Sequence, residues 1–264
     1  MAHGFAAEKV FALPAFAERF ASQGLAVLLF DYRCFGDSDG KPRNLVNPFK
    51  HVQDWKAAVG HVRSLPGLDH QRVALWGTSL GGGHVIMTAA QDPEIAAIVC
   101  QVPYVDPFAS FGMFGLKDML KGFAAGIRDV VRMMTFRAPY YIPVVGDPGT
   151  PAFLNAPGAM EGYLSIIPEG YQWSNRCPAR VIFTVARYRP IARAKRVRCP
   201  ALILAAEEDN LVPLQSLEKA AAKIGSASLV KLQMGHFDVY RGRWFARAVG
   251  EELAFLQEKL CVPA

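Results

Sequence analysis

Apolar and polar positions fall into blocks along the chain whose periods are typical of alternating strands and helices. Short, mainly apolar runs predict parallel strands that are buried on both faces. These runs are 25–30, 73–76, 95–102, 201–206 and 229–234. Apolar residues at helical spacing predict helices at 8–22, 50–65, 84–90, 214–224 and 245–260. This alternation predicts an α/β fold with a doubly wound, mostly parallel sheet covered by helices on both faces.

The alternation stops between the predicted strands at 95–102 and 201–206. Residues 103–197 contain ten prolines and many Phe, Tyr and Met residues, and this stretch is too long for a loop within a compact domain. We therefore predict that residues 103–197 form a mainly helical cap. The cap would be inserted into an α/β core made of residues 1–102 and 198–264.

A G-x-S-x-G pattern, Gly77-Thr78-Ser79-Leu80-Gly81, follows the predicted strand at 73–76 and precedes a predicted helix. Between a strand and a helix, this pattern forms a nucleophile elbow, in which a tight turn exposes the serine hydroxyl. The pattern predicts Ser79 as a nucleophile. It also predicts that the backbone N–H of Leu80 is an oxyanion donor.

A serine hydroxyl needs a histidine to accept its proton and a carboxylate to orient that histidine. Both residue types follow later strands: Asp209 lies in Glu207-Glu-Asp-Asn-Leu-Val-Pro213, and His236 lies in Met234-Gly-His-Phe237. Together with Gly-Thr-Ser-Leu-Gly, these motifs resemble the α/β-hydrolase superfamily. The resemblance implies a Ser79–His236–Asp209 triad beneath the cap.

Other acids and histidines stay open as alternatives at this stage. Glu207, Glu208 and Asp106 also lie near strand ends, whereas Asp238 is so close to His236 in the chain that we interpret it as a loop cap. His51 and His61 fall on a predicted surface helix, and His84 falls in the helix behind the serine. We interpret these three histidines as structural.

The resemblance also implies a second oxyanion donor. His3-Gly4-Phe5 matches the H-G motif of many α/β-hydrolases, in which the next backbone N–H, here that of Phe5, faces the oxyanion. In that family an apolar strand precedes the motif and lies centrally, between the strands at 25–30 and 73–76. Because only Met1-Ala2 precede the motif here, we expect an N-terminally truncated core, in which the two flanking strands close up or leave an open slot between them.

Composition narrows the class of protein. The net charge of +6 includes six basic residues between Arg187 and Arg198, which form an anion site or simply a solvated surface. No aromatic reader motif accompanies this patch, so a nucleic-acid partner is not expected. No signal peptide or membrane span is apparent. The five scattered cysteines, without a C-x-x-C pair, indicate reduced thiols and a cytoplasmic location, with no metal site.

These features predict a serine hydrolase that cleaves an ester or thioester of an apolar acyl or aromatic small molecule and needs no cofactor. An acyltransferase or peptidase with the same triad is one alternative. A non-catalytic truncated relative that binds small apolar ligands is another. Asp-Tyr-Arg-Cys-Phe-Gly-Asp-Ser-Asp-Gly at 31–40 resembles a subgroup of small hydrolases, some of which act on polyketide-type thioesters or esters. The sequence leaves monomer and homodimer open.

Overall fold

The computed structural model describes residues 1–111 and 115–260. The helices and strands in chain order are α1 (Leu13–Ala21), α2 (Pro48–Ser64), β1 (Ala74–Thr78), α3 (Leu80–Ala89), β2 (Ala97–Gln101), α4 (Pro107–Phe111), α5 (Leu116–Met134), β3 (Tyr141–Ile142), α6 (Ala159–Ser165), β4 (Cys177–Pro178), α7 (Val181–Ala186), β5 (Ala201–Ala206), α8 (Leu214–Ile224), β6 (Ala227–Leu232) and α9 (Gly242–Leu260). Short 3₁₀ turns lie between α7 and β5 and before α9.

The main sheet in the described residues contains four parallel strands in the order β1-β2-β5-β6. Buried side chains form one cluster on the face covered by α2, α3 and α8 and a second cluster on the face covered by α1 and α9. Helices on both faces of a parallel sheet define the doubly wound α/β fold that the alternating pattern predicts. All four carboxyl ends of the strands therefore meet at one edge, where ligands bind in such sheets.

Most predicted elements are present, with shifted ends. The predicted helix at 8–22 begins only at Leu13, because Ala12 has a left-handed backbone (φ 55°) and Pro14 occupies the first turn. The last strand, β6, begins and ends two residues earlier than predicted. Helix α3 begins directly after Ser79, four residues earlier than predicted.

The prediction of a buried strand at 25–30 is wrong. These residues are half-buried or exposed and belong to no sheet. Their ladder contacts are with Met1, whose backbone nitrogen donates to the carbonyl of Leu28 and whose carbonyl accepts from the N–H of Phe30. On the side of Met1-Ala2 that faces β1, Ala2 forms a single β-bridge with Gly77. A cleft of about 440 Å³ separates 25–30 from β1, because no longer strand bridges them.

Residues 103–197, named the insertion below, lie between β2 and β5. They contain helices α4 to α7 and the antiparallel pair β3-β4. Buried Asp129 organises them: its carboxylate accepts the backbone N–H groups of Tyr140 and Arg180 at 2.8 and 3.0 Å. Among the described residues, no helix combines the length and apolar composition that a bilayer crossing requires.

The cysteines in the described part of the chain are unpaired. These are Cys34, Cys100, Cys177 and Cys199, all of which are buried. Burial raises the pKa of the Cys199 thiol to about 11, so this thiol stays protonated and unreactive at neutral pH. Cys261 lies outside the described residues.

Candidate active site

The turn between β1 and α3 holds Ser79 in a strained backbone conformation. Its φ of 53° and ψ of −122° lie in a backbone region that residues other than glycine rarely adopt. Glycines make room for the turn, since a Cβ at Gly77 would lie 2.4 Å from the carbonyl oxygen of Gly81. The N–H of Ser79 donates to the carbonyl of Gln101 at 2.8 Å, which ties the turn to β2. The strand, turn and helix of a nucleophile elbow are therefore present.

Three predicted residues meet at the carboxyl edge of the sheet. His236 Nε2 lies 3.2 Å from Ser79 Oγ, and His236 Nδ1 lies 2.6 Å from Asp209 Oδ2. The other carboxylate oxygen of Asp209 accepts the N–H groups of Leu211 and Val212, each at 2.8 Å. Both the imidazole and the carboxylate are almost fully buried. The arrangement can pass a proton from the hydroxyl to the imidazole while the carboxylate holds the ring in place.

The structure places the alternative acids elsewhere. Asp106 forms a two-point ion pair with Arg189 at 3.0 and 3.1 Å. Asp238 accepts the N–H of Gly235 at 2.8 Å and so caps the loop that carries His236, as the sequence indicates. Glu207 and Glu208 are exposed. Asp209 is therefore the carboxylate that contacts the imidazole.

The His3-Gly4-Phe5 segment lies directly against the elbow. A Cβ at Gly4 would lie 3.0 Å from Ser79 Cβ and 3.5 Å from its Oγ, and a Cβ at Gly81 would lie 2.5 Å from the carbonyl oxygen of His3. Phe5 lines the same pocket as Ser79 and His236. The hydrogen bonds within the described residues include none donated by the N–H of Phe5 or Leu80. Phe5 follows Gly4 and Leu80 follows Ser79, so their N–H groups remain the predicted oxyanion donors.

Sequence analysis did not find Tyr163, which belongs to α6 in the insertion. Its hydroxyl donates to the carbonyl of Phe5 at 2.9 Å in a buried position, and its ring stacks on Trp173 with 5.0 Å between centroids. The preceding residue, Gly162, packs so closely on Phe237 that a Cβ there would lie 2.4 Å from that ring. Helix α6 thus contacts both the Phe5 segment and the residue that follows His236. No motif signals this, because the contact joins residues 158 positions apart.

The pocket over Ser79 is narrow and mainly apolar. It has a volume of about 20 Å³, which is enough for about one water molecule. Its wall includes Phe5, Phe11 and Leu13 from the sheet side and Leu154 and Ile166 from the insertion. In the described residues, no group of His, Cys, Asp or Glu side chains is arranged to hold a metal ion.

A cluster of buried rings lies behind the H-G segment. His51 Nδ1 lies 3.3 Å from His84 Nε2, His84 Nδ1 lies 2.6 Å from the Tyr188 hydroxyl, and Tyr32 stacks on His51 at 4.2 Å. The expectation that His51 lies on a surface helix is wrong, because only 2 % of it is exposed. Burial lowers the pKa of His3 to about 4 and that of His84 to about 3. Burial, and then the charge of His84, lowers the pKa of His51 well below its ordinary value.

We expect the free energy of unfolding to fall as pH drops below about 6.5. Above that pH these three histidines are neutral in both states and contribute no pH dependence. Below it the unfolded chain binds protons that the folded chain does not, and each such proton costs about 1.4 kcal/mol per pH unit.

Glu252 acts in the opposite direction, because burial raises its pKa to about 8. Its contribution to the free energy of unfolding is lost as pH rises from about 4.5 to 8. Burial also lowers the pKa of the Met1 amino group to about 5, which adds to the loss of stability at low pH. Urea unfolding between pH 7 and 5 should therefore show a net slope of about 3–4 kcal/mol per pH unit at about pH 5. A flat profile would contradict burial of the neutral histidines.

Comparison with known proteins agrees with this fold. The sequence model of the Alpha/beta hydrolase family matches residues 1–248, and the chain belongs to that family. It is 37% identical over 257 residues to the quorum-quenching protein AidA of Acinetobacter baumannii, covering 97% of this chain and 84% of that protein. The polyketide transferase af380 of Aspergillus fumigatus is 27% identical over 265 residues, covering 98% and 89%. The solved structure of DcsB with a substrate analogue has a TM-score of 0.84 at 28% identity, covering 98% of this chain and 89% of that one.

Proposed function

We propose that this chain is a serine hydrolase that cleaves a carboxylic ester or thioester of an apolar acyl or aromatic substrate. The observation that supports this most strongly is the continuous contact from Ser79 Oγ to His236 Nε2 and from His236 Nδ1 to Asp209, at 3.2 and 2.6 Å. A buried carboxylate that already accepts two backbone N–H groups is well suited to hold one imidazole orientation through the reaction.

The proposed reaction has two halves. Ser79 Oγ gives its proton to His236 Nε2 while it bonds to the carbonyl carbon, and the N–H groups of Leu80 and Phe5 stabilise the oxyanion. His236 then returns the proton to the leaving alkoxide or thiolate, which departs and leaves an acyl-serine. A water molecule then attacks the acyl carbon and gives its proton to His236. His236 returns this proton to Ser79 Oγ as the acyl-serine bond breaks, which releases the acid and restores Ser79.

The insertion would act as the cap in this proposal, over a core made of residues 1–102 and 198–264. Leu154, Tyr163 and Ile166 lie over the serine and leave about 20 Å³ of space. An acyl chain needs far more room than that, since ligand pockets are typically about 300–1,000 Å³. The insertion must therefore move outward for substrate to enter, and its apolar lining favours an apolar acyl or aromatic group.

Acyl transfer to an acceptor other than water is the second candidate. The specific observation that favours it is the likeness to a polyketide transferase across 98% of this chain. The same acyl-serine serves both reactions, and the two differ only in the nucleophile that resolves it. Lactones belong among the esters to be tested, because a lactone is an ester closed into a ring.

A labelling experiment tests the proposal. The chain is treated with a fluorophosphonate probe, the modified peptide is mapped by mass spectrometry, and labelling is repeated with Asp238→Asn as a folded control. Label on Ser79 supports the nucleophile assignment. A panel of p-nitrophenyl esters, thioesters and lactones, with and without an added alcohol or amine, then separates hydrolysis from transfer. A folded chain that takes no label and cleaves no member of the panel would favour the non-catalytic alternative.

The Tyr163 contact leads to a further expectation for this reaction. Tyr163→Phe removes the hydroxyl that holds the Phe5 carbonyl, so the adjoining peptide loses its fixed orientation. We expect kcat to fall about 5- to 10-fold, the equivalent of about one buried hydrogen bond, with KM nearly unchanged. Tyr171→Phe is the matched control, because it loses a hydroxyl bond to Glu8 outside the pocket. If Tyr171→Phe loses as much kcat as Tyr163→Phe, the loss reflects lower stability in general and not the contact with the Phe5 carbonyl.

A further inference from the structure

The charge of this chain is confined to one part of it. The insertion contains twelve lysines and arginines and six aspartates and glutamates, whereas the remaining residues contain seventeen of each. The whole formal charge of +6 therefore belongs to residues 103–197, and the rest of the chain is formally neutral. A charge so unevenly distributed favours contact between this segment and an anionic partner.

Helix α5 in the insertion has its apolar side turned away from the protein. Small residues face inward: a Cβ at Gly122 would lie 3.2 Å from Ile182, and a Cβ at Gly126 would lie 2.8 Å from the Phe183 ring. Large apolar residues recur three and four positions apart on the outer side. The members of this row are 46% to 71% exposed, namely Leu120, Phe123, Ile127, Val131 and Met134. Directly after the helix, Phe136 is 99% exposed.

Cationic side chains form a second row on α5, beside the apolar row. By helical position Lys121, Arg128 and Arg132 occupy one strip beside the apolar row. The Arg128 guanidinium lies 4.2 Å from the centre of the Tyr140 ring, and Arg132 Nε donates to the carbonyl of Ala138. This helix contains two acids, Asp118 and Asp129, and Asp129 is buried. The outer surface is thus one apolar strip beside one cationic strip, about 28 Å long for 19 residues.

We propose that the outer surface of α5, together with Phe136, docks on an anionic lipid bilayer. Apolar side chains on one strip and cations on the next are what a helix lying flat in a membrane interface requires, because the first enter the acyl boundary and the second meet the headgroups. The charge argues against a second copy of this chain as the occupant. In a two-fold contact the same patch meets itself, so the cationic strip of one α5 would lie close to that of its copy. The proposal does not depend on the reaction proposed above.

Vesicle flotation tests the docking surface with the full-length chain. We expect binding to vesicles of phosphatidylcholine with about 30% phosphatidylglycerol, and much weaker binding to phosphatidylcholine alone. The variant F123S/V131S/F136S should lower the partition coefficient at least about tenfold. Lys121→Gln with Arg128→Gln should lower it about 25-fold, at about fivefold per cation. Circular dichroism checks that each variant folds.

Phe49→Ser provides the matched control, because Phe49 is an apolar side chain 46% exposed on α2, and its loss should leave binding unchanged. Equal binding to neutral and anionic vesicles, or no binding to either, would overturn the proposal. Sedimentation velocity tests whether a second copy of this chain binds the surface instead. A concentration-dependent dimer of the parent chain that F123S/V131S/F136S abolishes would assign the surface to a second copy and overturn the lipid proposal.

Discussion

Replacing Ser79 with alanine is expected to lower kcat/KM for a cleaved ester by about 10⁴- to 10⁶-fold while leaving the fold intact. Alanine removes the only atom that bonds to the substrate in the proposed reaction. The hydroxyl contributes to the structure mainly through its 3.2 Å contact with His236, so the free energy of unfolding should change by less than about 1.5 kcal/mol. Initial rates on the best ester of the panel and urea unfolding of the same samples measure both quantities.

Two further variants make this expectation specific. Ser64→Ala is the matched control, because its hydroxyl is exposed and bonds only the carbonyl of His61 at the end of α2, and it should retain full activity. His236→Ala should lose about as much activity as Ser79→Ala, and the double variant should lose little more, since residues that act as one unit are not additive. Losses that multiply in the double variant would mean that serine and histidine act independently.

The proximity of the three candidate site residues could be predicted from the sequence because each of them follows a strand. Ser79, Asp209 and His236 come after β1, β5 and β6, and the carboxyl ends of parallel strands meet at one edge. Their distances in the chain therefore matter little, and local patterns suffice. The choice of Asp209 over Asp106 was open in the sequence, because both follow strands. In the structure, Asp106 forms an ion pair with Arg189. Arg189 lies 83 positions further along the chain, so no local pattern shows this pairing.

The errors concern contacts that no local pattern contains. The run at 25–30 is as apolar as a buried strand, but a strand exists only when a neighbour completes its hydrogen bonds, and here only Met1 does so on that side. His51 has the spacing of a surface helix, but Tyr32 and His84 cover it. Tyr163 reaches Phe5 across 158 positions. In each case the partner lies far along the chain.

Helix α5 shows the same limit at a surface. Its large apolar residues share one side of the helix, and such a side usually faces the core. Two glycines reverse this, because their lack of side chains lets α7 approach on the opposite side, at Gly122 and Gly126. Which face of an amphipathic helix packs inward is therefore decided by the shape of its neighbour as well as by hydropathy.

Asp209→Asn is expected to lower kcat by about 10³- to 10⁴-fold with little change in size or charge distribution elsewhere. One carboxylate oxygen accepts the N–H groups of Leu211 and Val212, and only the amide oxygen of asparagine can replace it. The amide NH₂ must then face His236 Nδ1 at about the present 2.6 Å. A donor at that position forces Nδ1 to be the acceptor, so Nε2 carries the proton and cannot take one from Ser79.

The Asp209→Asn expectation separates orientation from general electrostatics. Asp238→Asn removes the same charge from the neighbouring loop, which carries His236, and the amide oxygen of asparagine can still accept the N–H of Gly235, so activity should fall less than about threefold. Nitrogen-15 chemical shifts of the His236 ring report which nitrogen is protonated in each variant. Asp209→Asn with an unprotonated Nε2 and near-normal kcat would remove the carboxylate from the reaction. A protonated Nε2 with slow turnover would identify the carboxylate as the group that sets the histidine tautomer.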